Sequence, residues 1–157
     1  MKFQSKREAR LKLDEFLREG DWIDRHDCED PRDYRFVYSS LKQYPELAAE
    51  VFGGYSGGSF MPFHLLYKEK QKKAFPLTYL LAGKAPLHVI EEIHEMYRGT
   101  LSQKQGESGA LALHVVCAHG ASFEIVSYLL RQCQHAVYEA DFNGNLPLHL
   151  ILKRKQC

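Results

Sequence analysis

The tripeptides Ala112-Leu113-His114 and Pro147-Leu148-His149, with Pro76-Leu77-Thr78 as a third and weaker copy, place equivalent leucines 36 and then 35 residues apart. Self-similarity at a fixed period in the thirties marks a stack of helical repeats. It constrains the fold strongly, because such a unit cannot bury its apolar side alone and must pack on its neighbours. The register extends beyond the tripeptide. Ala82 pairs with Ala118, Leu87 with Phe123, Val89 with Ile125, Ile90 with Val126, Ile93 with Leu129, and Leu101 with Val137, all without a gap.

Within each unit the apolar period is helical. Phe123, Val126, Leu129 and Leu130 form one stripe and Leu87, Ile90 and Ile93 another, as expected of amphipathic helices packed by one side. Ser122 stands where its hydroxyl can accept a bond from the first turn, and Pro86 stands at the equivalent place, where a missing amide costs little. The shorter runs from Leu77 to Ala82 and from Leu113 to Ala118 read as a preceding helix. Each unit is therefore helix, turn, helix, with Leu113 and Leu148 expected at equivalent buried positions.

The run Asp141-Phe142-Asn143-Gly144-Asn145-Leu146-Pro147-Leu148-His149 resembles the ankyrin signature, in which an Asp-x-x-Gly turn leads into Thr-Pro-Leu-His. Gly120 and Glu124-Ile125-Val126 with Leu129-Leu130 resemble the second helix of that family, and the likeness is specific from about Phe75 to Leu152. Departures accompany it. Phe75, Leu111 and Leu146 stand in place of the threonine, one extra residue separates Gly120 from the second helix, and Lys84 stands where the other copy has Gly120. The resemblance implies an all-α solenoid of ankyrin type, with 75–109 and 110–144 as units and 145–157 as a partial one.

The N-terminal half follows the plan loosely. Tyr34, Phe36, Val37 and Leu41 before Tyr44-Pro45 look like a second helix and its exit turn, with Tyr44 matching Tyr97 and Cys133. Met61-Pro62-Phe63-His64 repeats the tetrapeptide but stands only 14 residues before Leu77, at Phe63. Either a unit has lost its second helix within 21–74, or residues 51–74 form a long finger behind the glycines at 53, 54, 57 and 58. Lys6 to Glu19, with Ala9, Leu13, Phe16 and Leu17 on one side and Gly20 after it, is expected to be a helix within a capping segment, 5–20.

A chain of 157 residues, 45% apolar, can bury one continuous core as a single domain. Its net charge of +1 argues against nucleic acid or anionic lipid as a partner. No apolar run approaches a membrane span, and the basic start is followed by no apolar region of a secretory signal. Four cysteines at 28, 117, 133 and 157 without a pairing motif point to a reducing cytoplasmic or nuclear setting.

Residues with chemistry cluster on one helix, where Glu91-x-x-His94 lies among His88, Glu92 and Glu95. A carboxylate-bridged metal site needs a second such motif on a facing helix, and none is present. A solvated helix side is the plainer account; a metal-dependent or minor enzymatic activity using helix 88–95 is the alternative function. Cys117 with His119 and Cys133 with His135 lack the spacing of a closed zinc site. The lysines at 68, 70, 72 and 73 and Lys153-Arg154-Lys155 are short basic runs that most simply face water.

The leading expectation is a protein-binding module, not an enzyme, that uses no cofactor or metal and is monomeric. Its resemblance implies contact through a concave side and finger tips. The positions free of helical or turn duty are Ala118 and His119 after the inner helix and Phe142, Asn143 and Asn145 in the finger. Phe142 is either an exposed anchor, as aromatics at interfaces are, or packing against the adjacent finger.

Overall fold

Seven residues without a charge, Pro76–Ala82, form a helix buried at every position, because a helix apolar on all sides is stable only when surrounded. In the computed structural model, which describes residues 2–18, 35–50, 74–106 and 108–154, the described secondary structure is helical apart from single bridge residues, Ala74 and the pair Gln105 and Ala110. The helices are α1 (Lys6–Arg18), α2 (Arg35–Gln43), α3 (Pro76–Ala82), α4 (Leu87–Met96), α5 (Ala112–His119), α6 (Phe123–Gln132) and α7 (Pro147–Arg154). Glu19, Gly20, Tyr34 and the choice between a truncated unit and a long finger at 51–73 lie outside the described residues.

The helices pair in sequence as α1 with α2, α3 with α4, and α5 with α6. One row runs α1, α3, α5, α7, each packed on the next; α2 packs on α4 in a second row. α1, which the sequence reads as a cap of the stack, stands at one end of the described row and pairs with α2 as α3 does with α4. Lys6 and Arg10 of α1 both reach the Glu50 carboxylate, at 2.6 and 2.9 Å, fastening α1 to the turn after α2.

The exit from each second helix is the same local structure. Tyr44, Tyr97 and Cys133 have (φ, ψ) of (−134°, 77°), (−148°, 86°) and (−146°, 70°), and each leads into a 3-10 turn, Pro45–Ala49, Arg98–Ser102 or Gln134–Val137. The turns bury Leu47 and Ala48, Thr100 and Leu101, and Ala136. The correspondence read between Tyr44, Tyr97 and Cys133 is thus a correspondence of backbone. Val137, paired in sequence with buried Leu101, is itself exposed.

The helix starts are capped from within. Neither Phe75 nor Leu111 offers a side-chain cap, consistent with the missing threonine. Instead, the Leu111 and Leu146 N–H groups donate to Nδ1 of His114 and His149, at 3.2 and 3.0 Å, the returning half of a capping box. In α3 the histidine is replaced by Thr78, and Gln105 from the following finger supplies the acceptor: its Oε1 receives Phe75 N–H at 3.2 Å and the Thr78 hydroxyl at 2.6 Å. Ser122 caps α6 through Ile125 N–H at 3.4 Å, as expected.

Two sequence expectations are corrected. The buried side of α6 is Ile125, Tyr128 and Leu129, whereas Phe123 is 85% exposed. At about 100° per residue Phe123 lies on the side of the helix opposite Ile125, Tyr128 and Leu129. Leu148, expected to be buried like Leu113, is 60% exposed: α7 packs on α5 with Leu150, and Leu148 points elsewhere.

Gly120 ends α5 at φ 72°, and Lys84, its counterpart, holds φ 57° without being glycine. Both turns close with the same bond, Ala85 N–H to Leu80 C=O at 3.0 Å and Ala121 N–H to Val116 C=O at 3.2 Å. A left-handed conformation costs a residue with a Cβ about 1–2 kcal/mol, partly offset by the greater freedom of glycine when unfolded. Lys84→Gly is therefore expected to stabilise the protein by ~0.5–1 kcal/mol, read as a higher midpoint in denaturant melts; a lower midpoint would show that contacts of the lysine outweigh the strain.

Candidate binding surface

Two loops, 103–111 and 139–146, lead into the N-terminal ends of α5 and α7. The first closes with Gln105 N–H on Ala110 C=O at 3.0 Å, the second with Asp141 N–H on Asn145 C=O at 2.9 Å. Asp141 is buried and its Oδ1 accepts the Asn143 and Asn145 N–H groups at 2.9 and 2.7 Å, which organises the finger from inside. Gly144 supplies the φ of 76° that the turn requires.

The fingers are joined by Phe142 N–H donating to Ser108 C=O at 2.7 Å. The Phe142 ring lies over Gly109, so closely that a Cβ there would stand 2.7 Å from it. Lys104 Nζ is 5.7 Å from the ring centroid, held also by the Ala140 carbonyl at 2.9 Å and the Glu139 carboxylate at 3.4 Å. Phe142 remains 68% exposed, so both readings of it hold in part: one side packs on the neighbouring finger and the other faces water. Tyr138, 84% exposed, and Asn143 extend the exposed surface.

The remaining expected contact residues are placed differently. Ala118 is buried in the core and is corrected as a contact position, since α5 packs against α3, α6 and α7. His119 is half-buried beside it at the far end of α5, about 12 Å along the helix axis from the finger at 1.5 Å per residue. Asn145 is half-buried and committed: its carbonyl accepts His114 Nε2–H at 3.0 Å and its side chain bonds Asp141 and Lys153. Phe142 and Asn143 thus share one exposed loop, while Ala118 and His119 do not join them. Lys104, Ser108 and Gly109 are missed by sequence reasoning because the first finger has one more residue than the second, which hides their alignment.

The His/Glu-rich helix is divided by its geometry. His94 is buried and its Nδ1 bonds the Tyr128 hydroxyl at 2.7 Å, which corrects the expectation of a wholly solvated side. Burial pushes the His94 imidazole down and the Tyr128 phenol up, so both are neutral at pH 7. His88, Glu92 and Glu95 face solvent, and Glu95 pairs with Arg98. Among the described residues no three His, Cys, Asp or Glu side chains converge on a point that could hold a metal ion. Burial raises the Cys117 thiol to about 11, which keeps it protonated and a poor nucleophile. No described helix is long and apolar enough to cross a membrane.

Compared with known proteins, the chain matches no family model, no curated protein and no solved structure.

Proposed function

We propose that this chain is an ankyrin-like repeat module that binds a partner protein through its finger edge, with Phe142 as the anchor and Asn143, Tyr138 and Lys104 around it. The observation that carries this reading is an aromatic ring mostly in water yet fixed in place. Its backbone is bonded to Ser108, one side rests on Gly109, and an ammonium stands over it. Rigid aromatic anchors give much contact area for little lost entropy, which is why they dominate binding energy. The helix-turn-helix pairs, the 3-10 exits and the finger-to-helix order support the ankyrin-type part of the reading.

Phe142→Ala tests it. The substitution is expected to lower the melting temperature by only a few degrees and to weaken partner binding by ~1–3 kcal/mol. Proteins captured by the wild-type chain and lost with the variant, identified by mass spectrometry, would carry the assignment. A variant that melts far lower yet captures the same proteins would make Phe142 a packing residue between fingers.

A further inference from the structure

The chain has two asparagines, Asn143 and Asn145, and both lie in the second finger. An asparagine in water can lose its side-chain amide to the peptide nitrogen of the next residue, and the rate depends on how freely those two groups meet. The two sites differ in both groups. Asn145 is half-buried, its Nδ2 donates to the two Asp141 carboxylate oxygens at 3.2 and 3.0 Å, and its Oδ1 accepts from Lys153 Nζ at 2.6 Å. The nitrogen after it belongs to Leu146 and is held by His149 Nδ1 at 3.0 Å. Asn143 is exposed, and among the described residues its side chain makes no hydrogen bond. The residue after it is Gly144, also exposed, with no Cβ to shield its nitrogen and no atom within 4 Å of where a Cβ would stand.

We propose that Asn143-Gly144 is a site of spontaneous deamidation, and that its isoaspartyl product releases Phe142 from Gly109. The Gly144 nitrogen gives up its proton and bonds to Asn143 Cγ; the Cγ–Nδ2 bond breaks, and the amide leaves with one added proton as ammonia. A five-membered imide remains between the two residues. Water then opens it, at Cγ to give aspartate or at the main-chain carbonyl to give isoaspartate. The sum is asparagine plus water to acid plus ammonia, with no further reactant and no change of oxidation state.

One bond opposes the first step, from Gly144 N–H to Asp141 C=O at 3.0 Å. It is a single neutral bond at an exposed loop tip, where local opening costs least. Reaction at Asn145 has to break the contacts to Asp141 and Lys153 and free the Leu146 N–H as well. Hydrogen bonds to charged groups are the stronger kind, so that site is expected to react at least about tenfold more slowly.

The consequence follows from how the finger is built. In the isoaspartyl product the main chain runs through Cγ and gains a methylene between residues 143 and 144. That insertion falls inside the span which Asp141 closes through the N–H groups of Asn143, Gly144 and Asn145. The carboxylate set free at residue 143 is also a second negative charge close in the chain to buried Asp141, and like charges repel. Phe142 stands between the two, so the bond of its N–H to Ser108 and the seat of its ring on Gly109 go with the turn. That the modification thereby weakens partner binding rests on the reading of Phe142 as the anchor.

The test incubates the purified protein at neutral pH and physiological temperature in heavy-oxygen water. Digestion and electron-transfer mass spectrometry then locate the incorporated oxygen and tell isoaspartate from aspartate. Incorporation at residue 143 is expected to grow over days, with isoaspartate in excess, at least about tenfold faster than at Asn145. It should be absent in Asn143→Gln, whose longer side chain would have to close a six-membered ring. In proton NMR spectra of the same samples, the Gly109 Hα signals, displaced by the Phe142 ring, should return toward ordinary glycine positions in proportion to the isoaspartate. No incorporation at residue 143 in the folded protein, or equal incorporation at Asn145, overturns the proposal. So do Gly109 signals that stay displaced in the isoaspartyl protein. Neither readout uses a partner, so failure here and failure of the finger-edge reading are separate results.

Discussion

Leu113→Ala is expected to destabilise the protein by ~2–5 kcal/mol, while Leu148→Ala, at the equivalent register position, should stay within about 0.5 kcal/mol of wild type. Leu113 is 5% exposed within the continuous core that also holds Leu77, Leu80, Val116 and Leu129, so truncation removes apolar contacts and leaves a cavity. Leu148 is largely in water and loses little. Domains of this kind are stable by only about 5–15 kcal/mol in total, so the first substitution consumes a large share. Chemical denaturation followed by circular dichroism separates the two. Equal destabilisation by both would mean that α7 is covered as α5 is, and equal tolerance would mean that the register assigned to Leu113 is mistaken.

That pair also shows what a sequence of this kind discloses. The spacing of apolar residues reports on a helix's own packed side, and so Ile90 and Ile93 of α4, Leu129 of α6 and the inner runs from Leu77 and Leu113 were all legible. Local backbone demands were legible for the same reason, in Ser122 at a helix start and in the shared exit at Tyr44, Tyr97 and Cys133. Exposure at Leu148 and Val137 was not, because it depends on which element lies across from the residue and repeat register carries no record of that. Phe123 misled because two apolar stripes compete on α6 and the period alone does not rank them. At the finger, Phe142 was found by its chemistry, but Lys104, Ser108 and Gly109 come to it through pairing between loops of unequal length. The duty of Asn145 was hidden likewise, since its carbonyl meets His114 from 31 residues away.

His114 is expected to make the fold acid-labile well above the range of carboxylate titration. Its side chain is fully buried, with Nδ1 accepting Leu111 N–H at 3.2 Å and Nε2–H donating to Asn145 C=O at 3.0 Å, an arrangement available only to the neutral ring. Burial is the largest cause holding its pKa below the ordinary 6.5, against weaker opposing effects that include the Asn145 carbonyl and the Asp141 charge. As pH falls below about 6.5 the unfolded chain takes up a proton at this position and the folded chain does not, so the unfolded state binds more protons and stability declines. The loss continues until the pH passes the depressed folded value. Buried His94 shifts in the same direction and adds to the slope. His114→Gln keeps an acceptor where a capping-box residue belongs and removes the titrating group, so the dependence of the denaturation midpoint on pH between about 6.5 and 5 should flatten. His114→Ala leaves the Leu111 N–H and the Asn145 C=O without this partner, at ~1–3 kcal/mol for each buried group, and is expected to cost ~2–4 kcal/mol at pH 7.5. Midpoints of the wild type that are constant from pH 7.5 to 5 would show that the imidazole is protonated in the folded state. The Asn145 contact would then have to be made by a cation facing a carbonyl, with Leu111 N–H left without its acceptor.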